Sequence, residues 1–263
     1  MQANQIDAYL ARIGVARPAQ PDIATLYQLQ YQHLRVVPFE NLSIHLGEQI
    51  QLDDDSFFDK LVTRGRGGFC YELNGGFGAL LAGLGYEVEY VAGRVYGPSG
   101  LGPPFDHLAL RVQLDEPWLV DVGFGRFADY PLRLNVREPQ PDPAGEVLVV
   151  EQAEGDLDIL IDGKPQYRLE LRPRSLLEFE PTCWWHQTSP KSHFTQSTVC
   201  SLPTSEGRIT ISDRVLIETT ANGRRQHTFS SDDELLAAYR EHFGIVLEHA
   251  PVTLHPRGIA ASV

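Results

Sequence analysis

Cys70 is the residue whose surroundings point most directly to chemistry. It closes the run Gly65-Arg66-Gly67-Gly68-Phe69-Cys70 and opens an apolar stretch, Tyr71 to Leu84, that stops at Gly85. This pattern predicts a glycine-rich approach to a helix with Cys70 in the first turn. The partial positive charge and unpaired N–H groups of a helix start favour a thiolate. Arg64 and Arg66 would push the thiol pKa the same way, and Gly67 and Gly68 would let backbone approach a substrate closely. The plainer alternative is a free cysteine buried as a small hydrophobe. Cys183, ahead of Trp184-Trp185, and Cys200, in a strand-like run, lack such surroundings and read as packing residues.

A nucleophilic thiol needs a base, and the base needs a group to orient it. Of nine histidines, His107 stands out, because it opens an alternating strand after a Gly/Pro-rich loop. Asp121 lies in the next apolar strand, where a carboxylate is costly unless paired. A histidine N–H would satisfy it, and so would backbone in the Gly123-Phe124-Gly125 turn. Spacing only half supports the first pairing. With Asp115-Glu116-Pro117 as the hairpin loop, Arg111 faces Asp121, and His107 lies four residues further, about 13 Å along the strand. Contact then requires a bulge, strong twist or another register.

The other histidines, His186 and His193 among them, sit near polar or terminal segments and form no third-ligand cluster, so no metal site is expected. Asp53-Asp54-Asp55 reads as a solvated lead-in to a helix. Gly123-Phe124-Gly125-Arg126 is a candidate phosphate cradle built from backbone N–H groups.

Several elements must position these groups. Helices are expected over Ile6, Leu10 and Ile13 with Gly14 as the stop, after Asp22 up to Pro38, and from near Asp55. From Tyr86 to about residue 172 the chain breaks into short strands such as 87–95, 107–114 and 118–122, separated by turn clusters, which suggests a β lobe or barrel. The remainder is mixed. Strands are expected at 197–202, 208–212 and 215–220, with Asn222-Gly223 as a turn. Ser231 and Glu234 form a capping box before a helix that ends at Gly244.

The 263 residues are 42% hydrophobic and 22% charged, an ordinary globular composition that argues against a disordered or fibrous chain. A formal charge of −13 argues against nucleic acid or an anionic membrane as partner. The N-terminal MQANQIDAYL does not read as a signal peptide, and no apolar run suggests a membrane span. Three widely spaced cysteines without C-x-x-C fit a reducing cytoplasm.

In their order, Val37-Pro38-Phe39-Glu40-Asn41-Leu42, Arg66-Gly67-Gly68-Phe69-Cys70-Tyr71-Glu72-Leu73-Asn74, His107 and Asp121-Val122-Gly123-Phe124-Gly125 resemble the arylamine N-acetyltransferases. Ser189 to Phe194 and Phe243-Gly244-Ile245 look similar too. The resemblance implies an α+β fold with a papain-like core: a helical bundle over 1–85 carrying the nucleophile, a β-barrel over 86–190 carrying His107 and Asp121, and an α/β lid over 191–263. It implies Cys70, His107 and Asp121 as a catalytic triad, acetyl-CoA as acyl donor without any metal, and a small aromatic amine or hydrazine as acceptor. Gly123, Phe124, Gly125 and Arg126 would lie near the coenzyme. Arg126 replaces a glycine that many relatives carry, and there adds a phosphate contact or narrows the cleft. Phe39, Val95 and Phe124 would line the aryl pocket. The alternatives are an amide synthase of the same architecture using a longer acyl chain, a cysteine hydrolase or transglutaminase-type enzyme with the same Cys, His, Asp order, and a non-catalytic binding module. The sequence leaves the amine and the oligomeric state open.

Overall fold

The computed structural model describes residues 1–256; residues 257–263, at the end of the expected lid, lie outside the described residues. Helix α1 (Ala3–Ile13) buries Ile6, Tyr9, Leu10 and Ile13 and ends at Gly14, whose φ of 71° is left-handed. Asp22 starts α2 (Ile23–Val36) by accepting the Thr25 N–H at 2.8 Å. Strand β1 (Phe39–Glu40) and the short α3 (Leu42–His45) follow. Asp53 caps α4 (Asp54–Phe58), which continues into a π-helical turn at Asp59–Thr63. Helix α5 (Cys70–Gly83) is apolar on nearly every side and correspondingly buried from Cys70 to Leu81.

Nine antiparallel strands come next: β2 (Glu87–Gly97), β3 (Gly100–Leu101), β4 (His107–Gln113), β5 (Pro117–Val120), β6 (Leu132–Arg133), β7 (Gln140–Asp142), β8 (Gly145–Glu151), β9 (Leu157–Ile161) and β10 (Lys164–Arg174). Apart from β3, which pairs only with β2, their order is β6-β5-β4-β2-β10-β9-β8-β7. The sheet curls until its ends meet. Across the seam the Gln140 side chain accepts the Arg133 N–H at 2.8 Å and donates to the Arg133 carbonyl at 3.0 Å. Strand β4 is buried on both faces. Ala109 packs inside the barrel with Val91, Ile159 and Leu169, while Leu108, Leu110 and Val112 pack against α5 and the N-terminal helices.

Helix α6 (Leu176–Thr188) is not among the expected elements, because it holds Pro181 in its interior and its apolar residues do not gather on one side; its start is nonetheless marked by a capping box between Ser175 and Glu178. After a 3-10 turn at His193–Thr195, a second sheet forms from β11 (Val199–Pro203), β12 (Gly207–Ser212), β13 (Val215–Thr220) and β14 (Gly223–Thr228), in the order β1-β11-β12-β13-β14. Thr220 pairs with Gly223, so the hairpin turns on Ala221-Asn222, one residue before the expected turn. Helix α7 (Asp232–Phe243) packs Leu235, Tyr239 and Phe243 on this sheet. It begins at Ser231, whose Oγ accepts the Glu234 N–H at 3.2 Å, and stops at Gly244. The architecture is the expected α+β, with a nearly closed barrel between helices and a smaller sheet.

Candidate active site

The approach to Cys70 is held by backbone. Gly68 bridges to Phe39, its carbonyl accepting the Glu40 N–H at 2.8 Å. A side chain at Gly67 would place its Cβ 1.9 Å from the Pro38 carbonyl oxygen, so only glycine fits there. The two arginines have another role than the one expected. Arg66 is 1% exposed and pairs with buried Glu40, its Nε 2.9 Å from Oε1. Arg64 pairs with Glu48 at the surface, at 2.5 Å. Neither is among the largest influences on the thiol. Their charges instead balance carboxylates, since a buried Glu40 without a cation would be untenable.

Cys70 opens α5 and is 4% exposed. His107 and the Leu108 backbone N–H both act on its sulfur, in the direction that favours a thiolate. His107 Nε2 lies 2.7 Å from Asp121 Oδ2, which leaves Nδ1 for the sulfur. The strand register explains how. Gln113 pairs with Pro117 and Arg111 with Leu119, so the hairpin loop is Leu114-Asp115-Glu116, and the expected pairing of Arg111 with Asp121 is off by two residues. Extending the observed register puts Asp121 opposite Ala109. His107 and Asp121 are then diagonal neighbours, a separation that an imidazole and a carboxylate can span.

Asp121 is 1% exposed and fully satisfied. Oδ2 also accepts from the Tyr167 hydroxyl at 3.1 Å, and Oδ1 accepts from Asn74 Nδ2 and the Gly123 N–H, each at 2.9 Å. Asn74, one turn beyond Cys70, also donates to the Leu108 carbonyl at 2.7 Å and accepts the Val122 N–H at 2.9 Å. Burial works to raise the Asp121 pKa. The His107 charge and these donors outweigh it, and the carboxyl is held below its ordinary value. For His107 burial opposes the cation. The Asp121 charge and hydrogen bond, with help from Cys70, overcome it and lift the imidazole to about 10. Burial raises the Cys70 thiol, against the pull of His107 and the Leu108 N–H.

A cleft of about 360 Å³ opens onto Cys70 and His107. Phe39, Val95 and Phe124 all line it, as do Gly123 and Phe194. A Cβ at Gly123 would stand 2.7 Å from Cys70 Cα, so the chain passes Cys70 too closely for any side chain. Gly125 has a φ of +89° and lies against the Phe39 ring. Arg126 is exposed. Arg208 on β12 is partly buried, and its pKa is lowered by that burial and then by the charge of Arg126. Asn74 and Tyr167 hold Asp121 without having been singled out from sequence. The i to i+4 spacing from Cys70 was the available signal for Asn74; for Tyr167 there was only its place in an alternating strand. His186, expected to be unremarkable, is buried against Asp106 at 2.9 Å. Among the described residues no group of three or more His, Cys, Asp or Glu side chains could hold a metal ion.

A family model described as N-acetyltransferase matches residues 22–252. The chain belongs to the N-acetyltransferase family. Its relatives in that family are arylamine N-acetyltransferases. That of Mycolicibacterium smegmatis is 32% identical over 93% of both chains. That of Escherichia coli (strain K12) is 33% identical over 93% of this chain and 90% of the relative. Among solved structures, the Mycobacterium marinum arylamine N-acetyltransferase in complex with CoA superposes with a TM-score of 0.81 at 29% identity, covering 91% of this chain and 92% of that one. The N-acetyltransferase fold thus extends over nearly all of the chain.

Proposed function

We propose that this chain transfers the acetyl group of acetyl-CoA to the nitrogen of an arylamine or hydrazine, or to the oxygen of an arylhydroxylamine, with Cys70, His107 and Asp121 as its catalytic residues. The observation that carries this reading is a buried thiol that shares an aromatic-walled cleft with an imidazole whose Nε2 is 2.7 Å from a buried carboxylate. The family and its CoA-bound member from M. marinum support the choice of acyl donor.

Each proton has a place. Cys70 reacts as a thiolate paired with protonated His107, and the thiolate attacks the acetyl-CoA carbonyl. As the tetrahedral intermediate collapses, the carbon–sulfur bond to coenzyme A breaks and His107 returns the proton to the departing sulfur. The enzyme now carries an acetyl thioester on Cys70. One thioester has replaced another, so the step is near-isoenergetic and reversible. The amine then attacks the thioester, neutral His107 takes its proton, and Cys70 leaves as a thiolate. Asp121 holds the imidazole and stabilises its cation in both halves. The backbone N–H groups of Cys70 and Leu108 are the proposed oxyanion donors. Two half-reactions at one sulfur give ping-pong kinetics.

Phe39, Val95 and Phe124 form the proposed acceptor wall. Gly123, Phe124, Gly125 and Arg126 form the coenzyme side, with Arg208 as a second cation for its phosphates. The proposed lobes divide after residues 85 and 190, with 191–263 as the lid. No helix among the described residues is long and apolar enough to cross a membrane. All three cysteines are free, which fits the proposed cytoplasmic location.

Intact-protein mass spectrometry after mixing with acetyl-CoA alone tests the reading. One acetyl group should map to Cys70 and be discharged by an added arylamine. Thioester hydrolysis without that adduct, and unaffected by Cys70→Ala, would overturn it.

A further inference from the structure

A second histidine–carboxylate pair sits one residue from the first. His186 on α6 is 1% exposed, with Nε2 2.9 Å from Asp106 Oδ1 and Nδ1 3.1 Å from the buried Ser192 Oγ. The other Asp106 oxygen accepts the Val95 N–H at 3.2 Å and lies over Gly102, where a Cβ would come within 2.0 Å of it. Asp106 follows Phe105, a non-glycine residue at φ 61°. Such a conformation costs about 1–3 kcal/mol and persists only where the surroundings over-determine it. Here they do. The Tyr71 hydroxyl donates to the Phe105 carbonyl at 2.8 Å and Thr182 Oγ1 to the Pro104 carbonyl at 2.9 Å. The Phe105 ring packs edge-on against Phe179, 5.2 Å between centroids.

These contacts come from α5, α6 and β2, and all of them fix the residues immediately before His107. We infer that His186, through Asp106, is a positioning residue for His107: it holds the strained turn that sets the angle at which the imidazole meets the Cys70 sulfur. The inference rests on the reading of Cys70 and His107 as reacting groups. The same histidine grips Ser192, next to the His193 and Phe194 that line the cleft. One buried side chain therefore ties the base to the cleft wall. His186 and Asp106 do not touch the reacting atoms; their effect passes through the main chain of His107.

The test is the pH dependence of Cys70 alkylation by iodoacetamide, mapped by peptide mass spectrometry, together with steady-state kinetics and melting temperature. In His186→Phe the alkylation profile should move to higher pH, with roughly tenfold slower reaction at neutral pH for each unit of thiol pKa. kcat should fall while the amine KM changes little. His186→Gln, which can still donate to Asp106, should restore both. An alkylation profile that stays in place while the melting temperature drops would reduce His186 to a packing residue and overturn the inference. Should His186→Phe fail to fold, Asp106→Ala undergoes the same measurement, and an unmoved profile there overturns it equally. Wild-type protein that takes no acetyl group from acetyl-CoA would refute the catalytic reading instead, while its alkylation profile would still test the link from His186 to His107.

Discussion

Asn74 and Asp121 are bound side chain to side chain at 2.9 Å, although one belongs to a helix and the other follows a barrel strand. The same amide reaches the backbone of Leu108 and Val122. It therefore pins α5, which carries Cys70, to the strand that carries His107 and to the segment that carries Asp121. Replacing it with alanine strands buried donors and acceptors, at about 1–3 kcal/mol. Asn74→Ala should lower urea-unfolding stability by that amount and reduce kcat/KM by roughly tenfold or more. Unchanged kinetics in a destabilised protein would show that the helix–strand link does not matter for transfer.

Asp121→Asn keeps the shape of the site and removes its charge. The amide can no longer both accept from His107 and stabilise the imidazolium. By analogy with other triads the acylation rate should fall by about 10⁴-fold. Quenched-flow mass spectrometry of the acetyl adduct measures this directly, and a loss smaller than tenfold would remove Asp121 from the mechanism.

The raised pKa of His107 links stability to pH. Its value is about 10 in the fold against an ordinary 6.5, so the folded protein holds a proton that the unfolded chain releases between those values. The contribution is fully present below 6.5 and is lost as pH rises through about 10. Urea midpoints of the wild type should fall across this window more steeply than those of His107→Gln. Parallel curves would contradict the shift.

Gly123→Ala adds one methyl group where there is no room for it. Its Cβ would meet Cys70 Cα and the Asn74 amide nitrogen, each at 2.7 Å. Overpacking of this kind costs about 1–3 kcal/mol. The variant should unfold at lower urea concentration and acylate slowly. Full activity would mean that the chain beside the nucleophile has slack.

Cys70 could be singled out from sequence because its helix start and the glycines before it are local features. The ends of α1, α2 and α7 were legible for the same reason, through Gly14, Asp22, Ser231 and Gly244. The contact between His107 and Asp121 was not, because it depends on which residues form the hairpin loop. Leu114 looked like a strand residue, but it turns in the structure, its N–H bonded to the Glu116 carbonyl at 3.1 Å. That slip of two residues removes half of the expected four-residue gap between His107 and Asp121, and the diagonal reach of the two side chains closes the rest. Arg64 and Arg66 misled for a related reason. Proximity in the chain suggested that they act on the thiol, whereas Glu40 and Glu48 claim them. His186 and Asp106 are 80 positions apart, and no local pattern joins them.

Strand β1 pairs with β11, Phe39 opposite Ser201 and Glu40 opposite Cys200, and the Asn41 side chain bonds to Phe194, Ser197 and Val199. A ribosome therefore delivers the reactive sulfur long before it delivers the strand that completes the enclosure. Until Val199–Pro203 emerges, the cleft beside Cys70 lacks the wall that Val199 supplies. The enclosure around Cys70 is thus complete only once these two distant segments have met.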